Sequence, residues 1–480
     1  MRRNKWFGMI ASVVLFLSVL YPTGAFADSE KSLQDQSIYD LLIDRFNNGN
    51  YENDVNVDAK DLSAFTGGDF AGITSRVNYL VDMGFTLVSI GPVFSTATYD
   101  GNEVLDYENL EPHFGTAQEL TEMIDALDEH KLGVIVDFPL NGVSEDHVWV
   151  KEQSLAYTAN DDGTVNWDTT DSNVKETLKN TIVSFAEDYN FAGIRLTQLG
   201  DFDEAFLNDV IAALKEANDE LYVISNEVST ANFDSVPNLE KMEALKQGYA
   251  QVDPGTSPLT LFEDKVETDL IQFDDLLGSR FTYDMIQLRM FPPTRWKLAV
   301  VPLFTLPGVP VMPYGTEIAV NGKEAPETHP ISNFKTEMEL YEYISDLNSL
   351  RNQSETLRNG DFEMLHNEDG FTVFTRTSEE ETWVIALNNT SETANLEISE
   401  EIVGENQRLR GLLDGDMIRQ SKDGQYRLVL DREVAEIYIA NEDKGFNTLY
   451  LIASILIYTL FLGFLFIMYR KGKKARAASK

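Results

Sequence analysis

From residue 37 onward, short apolar runs alternate with stretches of helical spacing, and few folds accommodate that pattern over about 300 residues. Runs at 37–43, 87–91, 133–138, 192–197, 221–228, 280–285 and 309–314 read as buried strands. Segments 73–83, 117–130 and 174–189 read as helices; in the second, Leu120, Met123, Ile124 and Leu127 fall on one face. Strands joined by helices pair in parallel, and eight such units close into a barrel. The expected fold class is therefore α/β, a (β/α)8 TIM barrel. Past residue 350 the texture changes to short runs at 371–375, 382–387, 408–412 and 426–430, separated by Asn, Gly, Asp and Ser. These predict a C-terminal antiparallel β-sandwich.

Both ends of the chain carry apolar segments. Arg2, Arg3 and Lys5 precede an apolar stretch at 6–21, and Ala25, Phe26 and Ala27 offer a small-x-small cleavage site, so 1–27 is expected to be a signal peptide. Residues 449–469 hold no charge, are long enough to span a bilayer, and are followed at once by basic residues. The positive-inside rule puts the 470–480 tail in the cytoplasm. The expected order is signal peptide 1–27, barrel 28–345 with a short insertion near 143–165, sandwich 346–440, linker 441–448, transmembrane helix 449–469 and basic tail.

Composition narrows the partners. The chain has 38 basic and 79 acidic residues, and nine of the basic ones lie in the two terminal segments. The body between them carries 29 basic residues against all 79 acids, a field that excludes nucleic acid as a partner. There is no cysteine, which excludes disulfides and favours a bacterial envelope over a eukaryotic secretory route. The expected location is a bacterial cell membrane, single-pass, with the body extracellular.

In a β/α barrel, chemistry sits at the C-terminal ends of the strands. The polar residues expected there are Asp137 and Asn141, Arg195 and Thr197, Asn226 and Glu227, and Tyr283 with Asp284. Acids converging across a barrel mouth are the equipment of glycoside hydrolysis, where one protonates the leaving oxygen and another attacks or stabilises the sugar cation.

The order and spacing of eight stretches resemble the α-amylase family, glycoside hydrolase family 13. They are IYDLLIDRFNNGN (38–50), TGGDFAGI (66–73), DMGFTLVSIGPVF (82–94), GVIVDFPLNG (133–142), FAGIRLT (191–197), YVISNEV (222–228), RFTYDM (280–285) and LPGVPVMPYGTEI (306–318). The resemblance implies a general acid at Glu227, a third carboxylate at Asp284 and a supporting arginine at Arg195, with Asp137 and Tyr283 also lining the sugar site. It implies a nucleophilic aspartate where this chain has Thr197. It also implies histidines at Gly142 and Tyr283, a stacking tyrosine at Asn102, and a lysine and histidine at Gly200 and Asp201. A retaining mechanism needs a carboxylate against the anomeric carbon, and threonine is neutral and shorter.

Asn48, Asn50, Asn53, Asp54, Gly67 and Asp69 match the calcium loop of the cyclodextrin-glucanotransferase-like branch, and Asn141 matches a ligand of the main family calcium site. Calcium takes six to eight oxygens, which such loops supply, so a structural Ca2+ is expected. The resemblance thus predicts a cell-surface protein of α-glucan metabolism with a disabled retaining site, binding α-glucan or maltooligosaccharide, or acting as a scaffold, without hydrolysis. Two alternatives stand beside it. One is an active α-1,4-glucan hydrolase using Glu227 and Asp284 by an altered mechanism, and the other is a subunit of a membrane protein complex.

Overall fold

The computed structural model describes residues 32–263, 269–336, 338–443 and 448–478. The expected signal peptide and part of the expected linker lie outside the described residues.

Seven parallel strands form one curled sheet: β1 (Ile38–Asp40), β2 (Leu87–Ser89), β3 (Gly133–Pro139), β4 (Gly193–Thr197), β5 (Tyr222–Ser225), β6 (Leu270–Ile271) and β7 (Val309–Pro313). Their spatial order is β5-β4-β3-β2-β1-β7-β6. Residues 235–237 join the two ends, since Ser235 bridges Ile224 of β5 and Pro237 bridges Leu270 of β6. This segment stands as a reduced eighth strand, and the sheet is TIM-barrel-like. Burial on both faces accounts for the continuous Val/Ile runs, such as Val134, Ile135 and Val136.

Outside the sheet lie α1 (Ala117–Asp128), α2 (Ser172–Asp188), α3 (Glu204–Ala217), α4 (Leu239–Tyr249), α5 (Phe281–Gln287), α6 (Pro292–Thr305) and α7 (Glu339–Gln353). Their starts are set locally. Thr116 and Glu119 form a capping box on α1, and Asp171 and Asp203 cap α2 and α3. One expected strand, 280–285, is overturned, because Arg280 is the N-cap of α5 and residues 281–285 belong to that helix. Its buried residues Phe281, Thr282 and Met285 have helical spacing, and the true strand before it, β6, is only two residues long.

The insertion after β3 is a small three-stranded sheet (Val143–Ser144, Tyr157–Ala159 and Thr164–Trp167). It is pinned by His147, whose buried ring lies 5.0–5.3 Å from the rings of Tyr107, Trp149 and Trp167. Its Nδ1 accepts the Trp149 N–H at 3.1 Å, and burial pushes its pKa down to about 4.

The C-terminal region is antiparallel. Strands β8 (Asp361–Glu368), β9 (Phe371–Thr377), β10 (Thr382–Asn388), β11 (Ala394–Ser399), β12 (Gln407–Gly411), β13 (Met417–Arg419), β14 (Gln425–Leu430) and β15 (Val434–Glu442) make a six-stranded sheet, β8-β9-β10-β15-β12-β13, and a separate β11-β14 pair. One core runs from the barrel into this region through Phe374, Trp383 and Ile437. Arg295 of α6 secures the joint, donating to the Tyr249 carbonyl at 2.9 Å and pairing with Glu433 at 3.2 Å. The last helix, α8 (Thr448–Ala478), contains an apolar stretch from Leu451 to Lys471 with none of that stretch buried. It is long enough to cross a bilayer.

Candidate active site

The tips of β1, β3 and β4 bring three charged side chains together. Arg195 stands beside Asp137 in the parallel register of β3 and β4. Its Nε and Nη2 donate to the two Asp137 oxygens at 2.7 Å each. On its other side Nη2 and Nη1 donate to Asp40 Oδ1 and Oδ2 at 2.9 and 3.0 Å. A guanidinium has five N–H groups, and four are engaged by carboxylates here. Side-chain exposure is 8% for each of the three, so the cluster is a nearly dry group of two carboxylates around one guanidinium, in which burial raises the Asp137 pKa against the pull of Arg195. Burial opposes the Arg195 charge, but Asp137 and Asp40 outweigh it and hold its pKa above an already high ordinary value. Arg195 and Asp137, expected to line the sugar site, both border a cavity at the mouth, with their polar atoms turned toward each other and toward Asp40, which sequence reasoning missed.

Thr197 ends β4, two residues past Arg195 and therefore on the same face of the strand. It is buried, and its Oγ1 has no hydrogen-bond partner. Gln198 follows with φ of 51°, in the left-handed region. Its amide lies against Gly142, where a Cβ would come within 2.1 Å of the Gln198 Oε1. The same amide donates to the Asn102 carbonyl at 3.3 Å. The glutamine therefore fills the place where the resemblance implies a histidine, and it ties the loop after β4 to the loop before β3.

Asn141, expected as a cation ligand, links the insertion to the β4 loop: its Oδ1 accepts the Trp167 N–H at 2.9 Å and its Nδ2 faces the Leu199 carbonyl at 3.5 Å.

Of the acids, Glu227 does reach the mouth after β5. Its Oε1 accepts the Leu199 N–H at 3.1 Å, and its own N–H donates to Ser225 Oγ at 3.1 Å. Asp284 does not reach it. It sits on α5, 3.4 Å from Lys246 Nζ, and Tyr283 shares that helix. The carboxylate that follows β6 into the mouth is Asp275, which lines a small cavity with Asp40, Arg195 and Asn226. Asp275 Oδ1 accepts the Leu277 and Gly278 N–H groups at 2.9 and 2.8 Å. Its neighbour Asp274 is buried and holds the start of α5 through the Phe281 N–H at 2.8 Å.

Two cavities beside the Arg195 cluster measure about 130 and 20 Å3, each below the roughly 300 Å3 at which small-molecule sites begin. Tyr99 closes one side, with its ring 3.7 Å from the Arg45 guanidinium and its hydroxyl 2.9 Å from His329 Nδ1. His329 Nε2 meets the Leu276 carbonyl at 2.6 Å, so Nε2 carries the proton and Nδ1 accepts from Tyr99. Burial lowers the His329 pKa and favours this neutral form. A larger cavity of about 1170 Å3 opens at the opposite end, at the strand starts Leu87, Gly133 and Tyr222, away from every strand-tip residue.

The 48–69 loop has a different character. Asn48 Nδ2 donates to both Asp54 oxygens at 2.9 and 3.0 Å, while the buried Oδ1 atoms of Asn48 and Asn53 have no partner. Gly67, at φ of 96°, lets the chain pass, since a Cβ there would fall 2.6 Å from Asn48 Nδ2 and 2.7 Å from Asp54 Oδ1. Asp69 accepts the Gly49 and Asn50 N–H groups at 3.0 and 2.8 Å, and Asn50 Oδ1 accepts the Glu52 N–H. Among the described residues no group of three acidic or histidine side chains is placed to hold a metal. The loop's fit to a hard cation comes instead from amide oxygens with unused lone pairs beside one carboxylate.

Comparison with known proteins gives the same architecture. A family model described as the α-amylase catalytic domain matches residues 39–196, ending one residue before Thr197, and one described as the α-amylase C-terminal domain matches 360–438. An Anoxybacillus α-amylase is 31% identical with a TM-score of 0.82, covering 87% of this chain and 100% of its own. A Geobacillus thermoleovorans α-amylase solved with acarbose is 29% identical with a TM-score of 0.80, covering 86% and 100%. A cyclomaltodextrinase of Geobacillus thermopakistaniensis is 25% identical over 80% of this chain and 73% of its own length. The chain belongs to the α-amylase family of carbohydrate-metabolism proteins.

Proposed function

We propose that this protein serves α-glucan metabolism at a cell surface as a binding or scaffold protein and cleaves no glucosidic bond. The observation that carries this reading is the state of the β4 tip. Thr197 offers no carboxylate to the anomeric carbon, and Arg195 is already held on both sides by Asp40 and Asp137. The small cavities beside Arg195 and the Gln198 amide against Gly142 support it, because the first are smaller than a small-molecule site and the second fills the place of a histidine that the family resemblance implies. The apolar stretch of α8 is the membrane anchor in this reading, with the basic residues that follow that stretch on the cytoplasmic side. A bound Ca2+ would be held by Asn48, Asn53 and Asp54 and the backbone near Gly67. It would supply no chemistry to the mouth and would cross-link the loop after β1.

A second reading has one observation in its favour, since Glu227 and Asp275 both reach the mouth. An inverting hydrolase needs one acid and one base with water between them. Against it, Asp275 is tied to two backbone N–H groups and Glu227 to a third. The experiment is to incubate the full chain with maltoheptaose and soluble starch and follow reducing ends. No release above a Glu227→Gln control is expected, and Glu227-dependent release would overturn the proposal.

A further inference from the structure

Positions 40 and 197 lie 157 residues apart in sequence, yet Arg195, which pairs with Asp40, stands two residues before Thr197 on the same face of β4. Arg195 makes two bidentate pairs, one with Asp137 and one with Asp40, and one N–H remains outside them. The group already sets two carboxylates against one guanidinium. Thr197 is on the Arg195 face of β4, buried, with a hydroxyl that nothing bonds. A carboxylate at 197 would enter a space whose cation is already taken, and buried charge without a counter-charge is strongly disfavoured.

We infer that Asp40 and residue 197 are charge-coupled, so that the barrel tolerates a carboxylate at one of the two positions and requires a neutral side chain at the other. Asp40 is a positioning residue here. It holds the Arg195 fork from the β1 side and makes a neutral Thr197 the stable partner. A single Thr197→Asp change therefore does not rebuild a working strand tip; the matching change is the exchange of both residues. This goes beyond the absence of hydrolysis, and its test reads stability, so either inference can fail without the other.

The test is thermal unfolding of the full chain in detergent for wild type, Thr197→Asp, Thr197→Asn, Asp40→Asn and the Asp40→Asn/Thr197→Asp double variant. Thr197→Asp is expected to lower the midpoint by roughly 10 °C or to prevent folding at pH 8, and the double variant to recover most of that loss. Thr197→Asn, of the same shape but neutral, should stay within about 3 °C of wild type. The Thr197→Asp deficit should shrink at pH 5. A buried third carboxylate has a raised pKa, so its penalty vanishes as it protonates and grows as pH rises through that value. Additive losses in the double variant, a double variant that fails to fold while Thr197→Asn folds, an equal loss in Thr197→Asn, or a deficit indifferent to pH would each overturn the coupling.

Discussion

The 48–69 loop and the barrel mouth are both built from polar side chains, and they differ in whether those side chains still have valence to offer. In the loop, buried Asn48 and Asn53 oxygens face no donor, and a glycine with positive φ keeps the space open. At the mouth the charged groups are engaged, with Arg195 closed off by Asp40 and Asp137 and with Glu227 and Asp275 accepting backbone N–H groups, and Gln198 closes on Gly142 and Asn102, while the neutral Thr197 Oγ1 and Asn226 Oδ1 have no partner. A site built for a ligand leaves its polar groups waiting for a partner. A site whose groups have found one another is a structural network. Acidic residues at strand tips do not by themselves tell the two apart.

The largest effect that can break this contrast is removal of Arg195. Arg195→Ala strands two buried carboxylates and should lower unfolding free energy by about 3–5 kcal/mol in denaturant titrations. A loss under about 1 kcal/mol would mean that the mouth is wetter and looser than its geometry indicates. Next comes acid. His147 titrates near 6.5 when unfolded and near 4 when folded. The unfolded state therefore binds the proton first, and stability present above pH 6.5 is lost as pH falls toward 4, by about 3 kcal/mol. His147→Phe should flatten that slope, as read in denaturant titrations at pH 7 and pH 4.5.

How much of this could be read beforehand depends on length scale. The β/α alternation, the strand-tip residues Asp137, Arg195, Thr197 and Glu227, and the terminal apolar helix all follow from periodicity and motif. Of the later barrel strands β7 was legible too, but β6 and the 235–237 strand were not, because β6 has two residues and the 235–237 strand only two bridges, too few to show a period. Residues 280–285 alternate well enough to pass for a strand, although Phe281, Thr282 and Met285 already had helical spacing. Asp40 was hidden for another reason. Its role exists only because β1 and β4 face one space, and nothing local to IYD marks it. Gln198 and Asp275 were missed in the same way, as residues one step past a strand whose direction depends on the turn.

On the loop side, calcium should raise stability by about 2.7 kcal/mol at a hundredfold excess over its dissociation constant. Thermal unfolding with calcium and with chelator checks this, and Asp54→Ala should abolish the difference. An equal response in that variant would move the cation elsewhere. The smallest effect belongs to Asp284. Its ion pair with Lys246 is part-exposed at 3.4 Å, so Asp284→Asn should change stability by no more than about 1 kcal/mol. It should also leave mouth properties untouched, whereas Asp275→Ala frees two backbone N–H groups there.

The central claim is that the mouth is a closed network without a nucleophile. Single-turnover assay of the full chain with maltoheptaose, at enzyme in excess over substrate and with Glu227→Gln in parallel, tests it most directly. The account predicts the same flat trace for both proteins. Release of reducing ends that disappears in Glu227→Gln would contradict it.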